Sequence, residues 1–217
     1  MCGIFAIINN TFDNEKIYTD AFFRGKKRGP EYSSITAADI NQKIIHGFHR
    51  LAINGYKDTS SDQPMYQKNC SLICNGEIYN FKKLYKNLKI NPKTKSDCEI
   101  ILHLYNYYGI EYTLQLLDGV FAFILIDYEK NQIFIARDTY GVRPLFFANE
   151  NNQHFFASEM KQIIPLLKND KVKINQFQPG TYSVFSLDKN DDYNISLNQE
   201  HFSSPNAFFN YKNILLT

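Results

Sequence analysis

At 217 residues the chain can build one domain with a substantial core, or two small ones. Hydrophobic residues at 44% and charged residues at 21% are ordinary for a globular protein. A net charge of +2, with only the short Lys26-Lys27-Arg28 cluster, lacks the concentrated excess expected of a nucleic-acid binder. Gly3 to Asn9 is an apolar, strand-like run closed by the turn dipeptide Asn9-Asn10. Glu15 to Lys27 is a candidate helix, and Lys43 to Ile53 and Ser71 to Asn75 read as strands. Ser96-Asp97-Cys98-Glu99 has the form of a capping box, with Ser96 capping a helix and Glu99 reaching back to it. Ile100, Ile101, Leu104, Tyr105 and Tyr108 follow at helical spacing until Gly109 stops the run. Gly119 to Asp127 and Gln132 to Arg137 form a predicted hairpin about Tyr128-Glu129-Lys130-Asn131. Pro144 to Ala148, His154 to Ala157 and Thr181 to Phe185 give shorter strand signals. Glu159 to Leu167 reads as a helix that Pro165 kinks or ends.

Eight or so strands with few helices imply a layered α+β fold, helices covering packed sheets. No repeat or linker divides the chain, so one domain is expected over residues 2–190, with 191–217 as a C-terminal tail able to pack on it. The longest apolar stretch, Gly119 to Ile126, is too short to span a bilayer, and the N-terminus lacks the features of a secretory signal. A cytoplasmic protein without membrane or nucleic-acid partners is the expectation.

The four cysteines are Cys2, Cys70, Cys74 and Cys98. Cys70 and Cys74 share a strand-like run, where four residues cover about 13 Å, too far for a disulfide. Neither the cysteines nor the five histidines have zinc-ligand spacing, so reduced thiols and no metal are expected. Cys2 differs from the rest by position. Aminopeptidases remove an initiator methionine that precedes a small residue, which would leave thiol and α-amine on one residue. That amine, with a pKa of about 7.7–8.0, is a base near neutral pH and can activate the thiol beside it. The plain alternative is a small residue at the start of a strand.

Three polar motifs also admit more than one reading each. Arg50, in Gly47-Phe48-His49-Arg50-Leu51-Ala52-Ile53, either pairs with an internal acid, awaits an anionic ligand that a planar fork can grip, or faces solvent from an edge strand. Asn75-Gly76-Glu77 follows an apolar strand. The Asn amide with a backbone N–H can stabilise an oxyanion and Glu77 can hold a cation, yet Asn-Gly is also the commonest turn dipeptide. Asp97 is a ligand or simply a carboxylate favoured by a helix N-terminus.

An ordered set of segments decides among these readings. Cys2-Gly3-Ile4, Arg28-Gly29-Pro30, Arg50-Leu51-Ala52-Ile53, Gln63-Pro64, Asn75-Gly76-Glu77-Ile78-Tyr79-Asn80 and Ser96-Asp97-Cys98-Glu99 come first. Asp118-Gly119-Val120-Phe121-Ala122-Phe123, Ala136-Arg137-Asp138, Gly141, Pro144-Leu145, Ala157-Ser158-Glu159-Met160-Lys161 and Pro179-Gly180 follow. From Cys2 to about Phe185 the chain resembles the class II glutamine amidotransferases, and most closely the glutaminase domains of glutamine-dependent asparagine synthetases. The resemblance implies a four-layer αββα sandwich of two antiparallel sheets, as in N-terminal nucleophile hydrolases. It implies Cys2 as the nucleophile on the glutamine side-chain amide, with its own α-amine as base through a water. Asn75 and Gly76 become the oxyanion hole, Arg50 the clamp on the substrate carboxylate, and Glu77 and Asp97 the partners of its ammonium group. Backbone of Leu51 to Ile53 lines the pocket, and no cofactor takes part.

The segment Lys27-Arg28-Gly29-Pro30-Glu31 departs from the family's usual His-Arg-Gly-Pro-Asp, and Asn54 stands where an aliphatic residue is usual. No Gly-rich phosphate loop occurs, and the Ser-Gly-Gly-x-Asp-Ser loop of the ATP-binding synthetase domain is missing before Thr217. The expectation is a glutaminase that hands ammonia to an ATP-dependent synthetase partner. A free-standing amidohydrolase on glutamine or a γ-glutamyl compound, or an inactive binding or regulatory domain, are the alternatives. The apolar Ala207-Phe208-Phe209 and Ile214-Leu215-Leu216 belong to a partner-facing patch or to the core.

Overall fold

The computed structural model describes residues 1–52, 58–188 and 192–202. In chain order the elements are β1 (Gly3–Ile8), α1 (Glu15–Phe23), β2 (Tyr32–Ala37), β3 (Ile44–Arg50), β4 (Met65–Gln67), β5 (Cys70–Ile78), α2 (Phe81–Leu88), α3 (Glu99–Leu116) and β6 (Gly119–Asp127). Then come β7 (Gln132–Arg137), β8 (Phe146–Glu150), β9 (Gln153–Ala157), α4 (Met160–Ile163), β10 (Asn175–Gln176), β11 (Thr181–Leu187) and β12 (Tyr193–His201). Among the described residues the strands form two antiparallel sheets of six, ordered β10-β8-β9-β1-β3-β2 and β12-β11-β7-β6-β5-β4.

Side chains alternate across a strand, so each strand feeds two layers. Ala122, Ile124 and Ile126 of β6 meet Ile4, Ala6, Ile8 and Phe48 in a central core between the sheets. Phe121, Phe123 and Leu125 of the same strand turn outward and pack under Ile100, Ile101 and Leu104 of α3. On the other side Phe5 and Ile7 of β1 pack beneath Tyr18, Ala21 and Phe22 of α1. The order of layers is therefore helix, sheet, sheet, helix, the expected αββα sandwich. Burial on both faces explains why β1 and β6 read as continuous apolar runs rather than alternating ones.

Local chemistry sets the boundaries. The β6–β7 turn closes where expected, because Asp127 Oδ1 accepts the N–H groups of Glu129 and Lys130, both at 3.0 Å. Gly109 interrupts the helical run at φ 78°, ψ 179°, a conformation open to glycine, and helix resumes beyond it to Leu116. Pro165 sits in a 3₁₀ turn, Ile164–Leu166, that ends α4.

Some expectations are corrected. The strand read over Ser71 to Asn75 is longer than expected, and the turn alternative at Asn75-Gly76 falls away: β5 runs through it, with Asn75 opposite Ala122, Gly76 opposite Phe121 and Glu77 opposite Val120. The capping box does not close. Glu99 reaches past Ser96 to accept from Lys93 N, Thr94 N and Thr94 Oγ1, at 2.7 to 3.1 Å, while Ser96 Oγ accepts from Cys98 N at 3.3 Å. Strands β2, β4, β10 and β12 and helix α2 carried no recognised signal. The last of those strands pairs with β11, so the second sheet continues past residue 190. Ala207-Phe208-Phe209 and Ile214-Leu215-Leu216 lie outside the described residues.

Three buried groups set an acid limit. Burial drives His46 and His154 down to about 4. Glu99 is held at about 2, because bonds from His103, Lys93 and Thr94 outweigh the burial that opposes them. In each case the unfolded chain takes up its proton at a higher pH than the folded one, so stability is lost as pH falls. Urea midpoints are expected to decline from about pH 6.5 toward 4 through the histidines, and further below about 4.5 through Glu99. A midpoint constant from pH 7 to pH 4 would rule this out.

Candidate active site

Register brings Cys2 to the end of a neighbouring strand. Gly3 of β1 lies opposite His49 of β3, which sets Cys2 beside Arg50 and Leu51. Cys2 Sγ is 3.4 Å from Leu51 N, which donates to it, and 3.4 Å from Leu51 O, to which the thiol donates. Arg28 Nε donates to Cys2 O at 2.8 Å, and Glu159 holds the Arg28 guanidinium at 3.5 Å. Burial pushes the Cys2 thiol up, against the downward pull of the Leu51 N–H. A thiol so placed ionises less readily than a free cysteine and needs a base.

The segment 29–31 secures the other wall. A Cβ on Gly29 would fall 2.4 Å from the Arg50 carbonyl carbon, so only glycine fits where this segment crosses the end of β3. Glu31 Oε2 accepts from Ala52 N at 2.7 Å, and Glu31 N donates to Arg50 O at 3.3 Å. The departure at Glu31 therefore leaves an acid that braces the Arg50–Ala52 backbone. Arg50 is 7% exposed, and its Nη1 donates to Asp62 Oδ1 at 2.8 Å and to Asp58 O at 3.0 Å. The internal acid that burial demanded is Asp62.

The second sheet supplies the facing groups. Asn75 is 1% exposed, and its Nδ2 has no hydrogen-bond partner among the described residues. Asp97 is buried just before α3, where its Oδ2 accepts from Ile78 N at 2.6 Å and ties the helix entry to the end of β5. Glu77 is half-exposed, with Oε2 3.9 Å from Arg143 Nη2. Gln63 clasps β5 from the side: its Oε1 accepts from Cys74 N at 2.6 Å and its Nε2 donates to Cys74 O at 3.1 Å.

Cys2, Arg50, Leu51, Gly76 and Asp97 thus line a single cavity, together with Gln63, Cys74 and Cys98. Asn75 and Glu77 flank Gly76 on β5 without lining it. Ile53 lies outside the described residues. Sequence reasoning gave no role to Arg28, Glu31 or Gln63. Their only signal was membership of the Arg-Gly-Pro and Gln-Pro segments, and each acts on backbone rather than on a ligand. A thiol, a guanidinium and a carboxylate around one small space, with an unused amide donor on the adjoining strand, are the groups needed to hold a zwitterionic amide and attack its carbonyl.

The chain is similar to proteins of known activity. Residues 1–196 match the family model described as a glutamine amidotransferase domain. The chain is 38% identical over 196 residues to the human asparagine synthetase [glutamine-hydrolyzing], covering 88% of this chain and 34% of that protein. The bovine counterpart is 39% identical over the same length, again covering 88% and 34%. The chain therefore spans about a third of the length of the curated relatives it matches. A solved structure of glutamine phosphoribosylpyrophosphate amidotransferase from B. subtilis, complexed with ADP and GMP, superposes with a TM-score of 0.69 at 20% identity, covering 90% of this chain and 49% of that one. A second, of an allosteric regulatory enzyme of purine biosynthesis, gives 0.73 at 21%, covering 93% and 49%. At such identities these two show the shared fold alone. With the family model matching residues 1–196, most of its length, the chain belongs to the class II glutamine amidotransferases.

Proposed function

We propose that this domain hydrolyses the side-chain amide of L-glutamine and supplies the ammonia to an ATP-dependent synthetase partner of the asparagine synthetase kind. The reading rests chiefly on the convergence of Cys2, Arg50, Gly76 and Asp97 on one cavity from four separate segments. Met1 is exposed, and its removal frees the Cys2 α-amine. Through a water that amine takes the thiol proton, and Sγ attacks the amide carbon. The oxyanion is met by the Asn75 amide and the Gly76 N–H. Collapse of the tetrahedral adduct breaks the C–N bond, the amine returns a proton to the leaving group, and ammonia departs from a Cys2 thioester. Water then attacks the thioester carbon, releases glutamate and restores the thiol. Throughout, Arg50 holds the substrate carboxylate, Glu77 and Asp97 hold its ammonium, and the Leu51 backbone orients Sγ. Reduced thiols suit a cytoplasmic setting.

Glutamate release from glutamine without ATP, by protein whose N-terminus is shown by mass spectrometry to be Cys2, is the direct test. Protein so processed that binds glutamine but never releases glutamate, with or without a synthetase, would sink the proposal. Release only with an added synthetase would mark a partner-dependent site. Arg50→Lys is expected to raise KM about 10–100-fold with a smaller effect on kcat, because a point charge replaces a planar fork. Steady-state kinetics over a wide glutamine range checks this.

A further inference from the structure

Two of the cavity's walls are thiols that glutamine hydrolysis does not use. Cys74 comes from β5 and Cys98 from the entry to α3, and both line the same cavity as Cys2. The three come from distant parts of the chain, so chance adjacency in sequence does not explain them. The Cys74 sulfur stands 3.0 Å from where a Cβ on Gly76 would be, which directs it along the wall toward the backbone proposed to face the reacting carbonyl. Among the described residues the thiols do not form a metal-ligand cluster. Of the three, Cys2 is only partly buried, while Cys74 and Cys98 are 1% and 3% exposed. An oxidant entering from solvent therefore meets Cys2 first. Gln63 fixes the Cys74 backbone on both sides, and Cys2 lies ahead of β1 with its Sγ against the Leu51 backbone at 3.4 Å, contacts that give way when the two sulfurs join.

We propose that this cavity is a site of reversible oxidation by hydroperoxides, in which Cys74 captures oxidised Cys2 as a disulfide. The proposal rests on the reading of Cys2 as an activated nucleophile. The Cys2 thiolate attacks one peroxide oxygen, the O–O bond breaks, and Cys2 becomes a sulfenic acid as hydroxide leaves and is protonated to water. The Cys74 sulfur then attacks the Cys2 sulfur. An S–S bond forms, the S–O bond breaks, and the hydroxyl leaves with the Cys74 proton as a second water. Two electrons have passed from two thiols to one peroxide. The disulfide removes the nucleophile and spares it from further oxidation to sulfinic acid, which thiol reductants do not reverse. The Cys98 thiol donates to Asp97 Oδ2 at 3.9 Å, and its hydrogen bond with Cys74 together with burial keeps it protonated, so Cys74 is the more available partner.

The test is hydrogen peroxide treatment of the whole chain, followed by peptide mapping without reduction and by glutaminase assay before and after dithiothreitol. The expected product is a peptide linking Cys2 to Cys74, with activity down about 10-fold or more and restored by the reductant. Cys74→Ser, compared with its own untreated activity, is expected to stay inactive after dithiothreitol and to carry sulfinic acid at Cys2. The proposal is overturned if wild-type Cys2 goes to sulfinic or sulfonic acid without a cross-link. It is equally overturned if Cys2 links to Cys98, or if Cys74→Ser recovers as fully as the wild type. Should Cys74→Ser not fold, the wild-type map alone decides. If the untreated protein releases no glutamate with or without an added synthetase, the function reading fails, and the map still reports on the disulfide.

Discussion

Cys2→Ala is expected to lower glutamine hydrolysis by about 10⁴-fold or more while leaving glutamine binding nearly intact. In the proposed mechanism the substitution removes the sulfur that forms the thioester, whereas Arg50, Glu77 and Asp97 lie on other elements and keep their places. An N-terminal extension that leaves Cys2 in a peptide bond is expected to give a loss of similar order with the thiol still present. Burial raises the Cys2 thiol, so without its α-amine little thiolate forms near neutral pH. The two variants separate nucleophile from base. The check is glutamate release, paired with mass spectrometry of the N-terminus and a titration of glutamine binding. An extended protein as active as the processed one would refute the role of the amine, and an active Cys2→Ala would refute the role of the thiol.

Legibility in the sequence followed burial. The hairpin of β6 and β7 was readable to the residue, since unbroken apolar runs meet a turn that Asp127 itself builds. Strand β12, Tyr-Asn-Ile-Ser-Leu-Asn-Gln-Glu-His, is an edge strand with most of its side chains in solvent, and β2 is similar. Neither carries an apolar signature, because their stability comes from backbone pairing to a buried neighbour. The Asn75-Gly76 dipeptide shows the opposite limit. Its local preference is for a turn, but nine residue pairs with β6 hold the strand straight through it. Position along the chain announced Cys2, and the cost of burying charge announced that Arg50 needed a partner. That the partner is Asp62, or that Glu31 and Gln63 support the walls through backbone contacts, depends on loops meeting across sheets, which no local pattern encodes.

Asn75 is where stability and activity should part. Its Nδ2 is buried on β5 and makes no hydrogen bond to a described residue, so no protein contact is lost when it is removed, whereas an unmet buried donor costs about 1–3 kcal/mol. In the proposed mechanism that donor gains its partner when the oxyanion forms. Asn75→Leu, close in volume and without the amide, is therefore expected to lower kcat by about 10²–10³ with little change in KM. Its urea midpoint should equal or exceed that of the wild type. Gln63→Leu makes the contrast: it loses both bonds to Cys74 and leaves a buried N–H and C=O unmet, so it should cost about 2–3 kcal/mol of stability as well as activity. Steady-state kinetics with denaturant midpoints on both variants reads the two axes. If Asn75→Leu unfolds readily while its surviving fraction turns over normally, Asn75 is a structural residue of β5 and the oxyanion must be met by other donors.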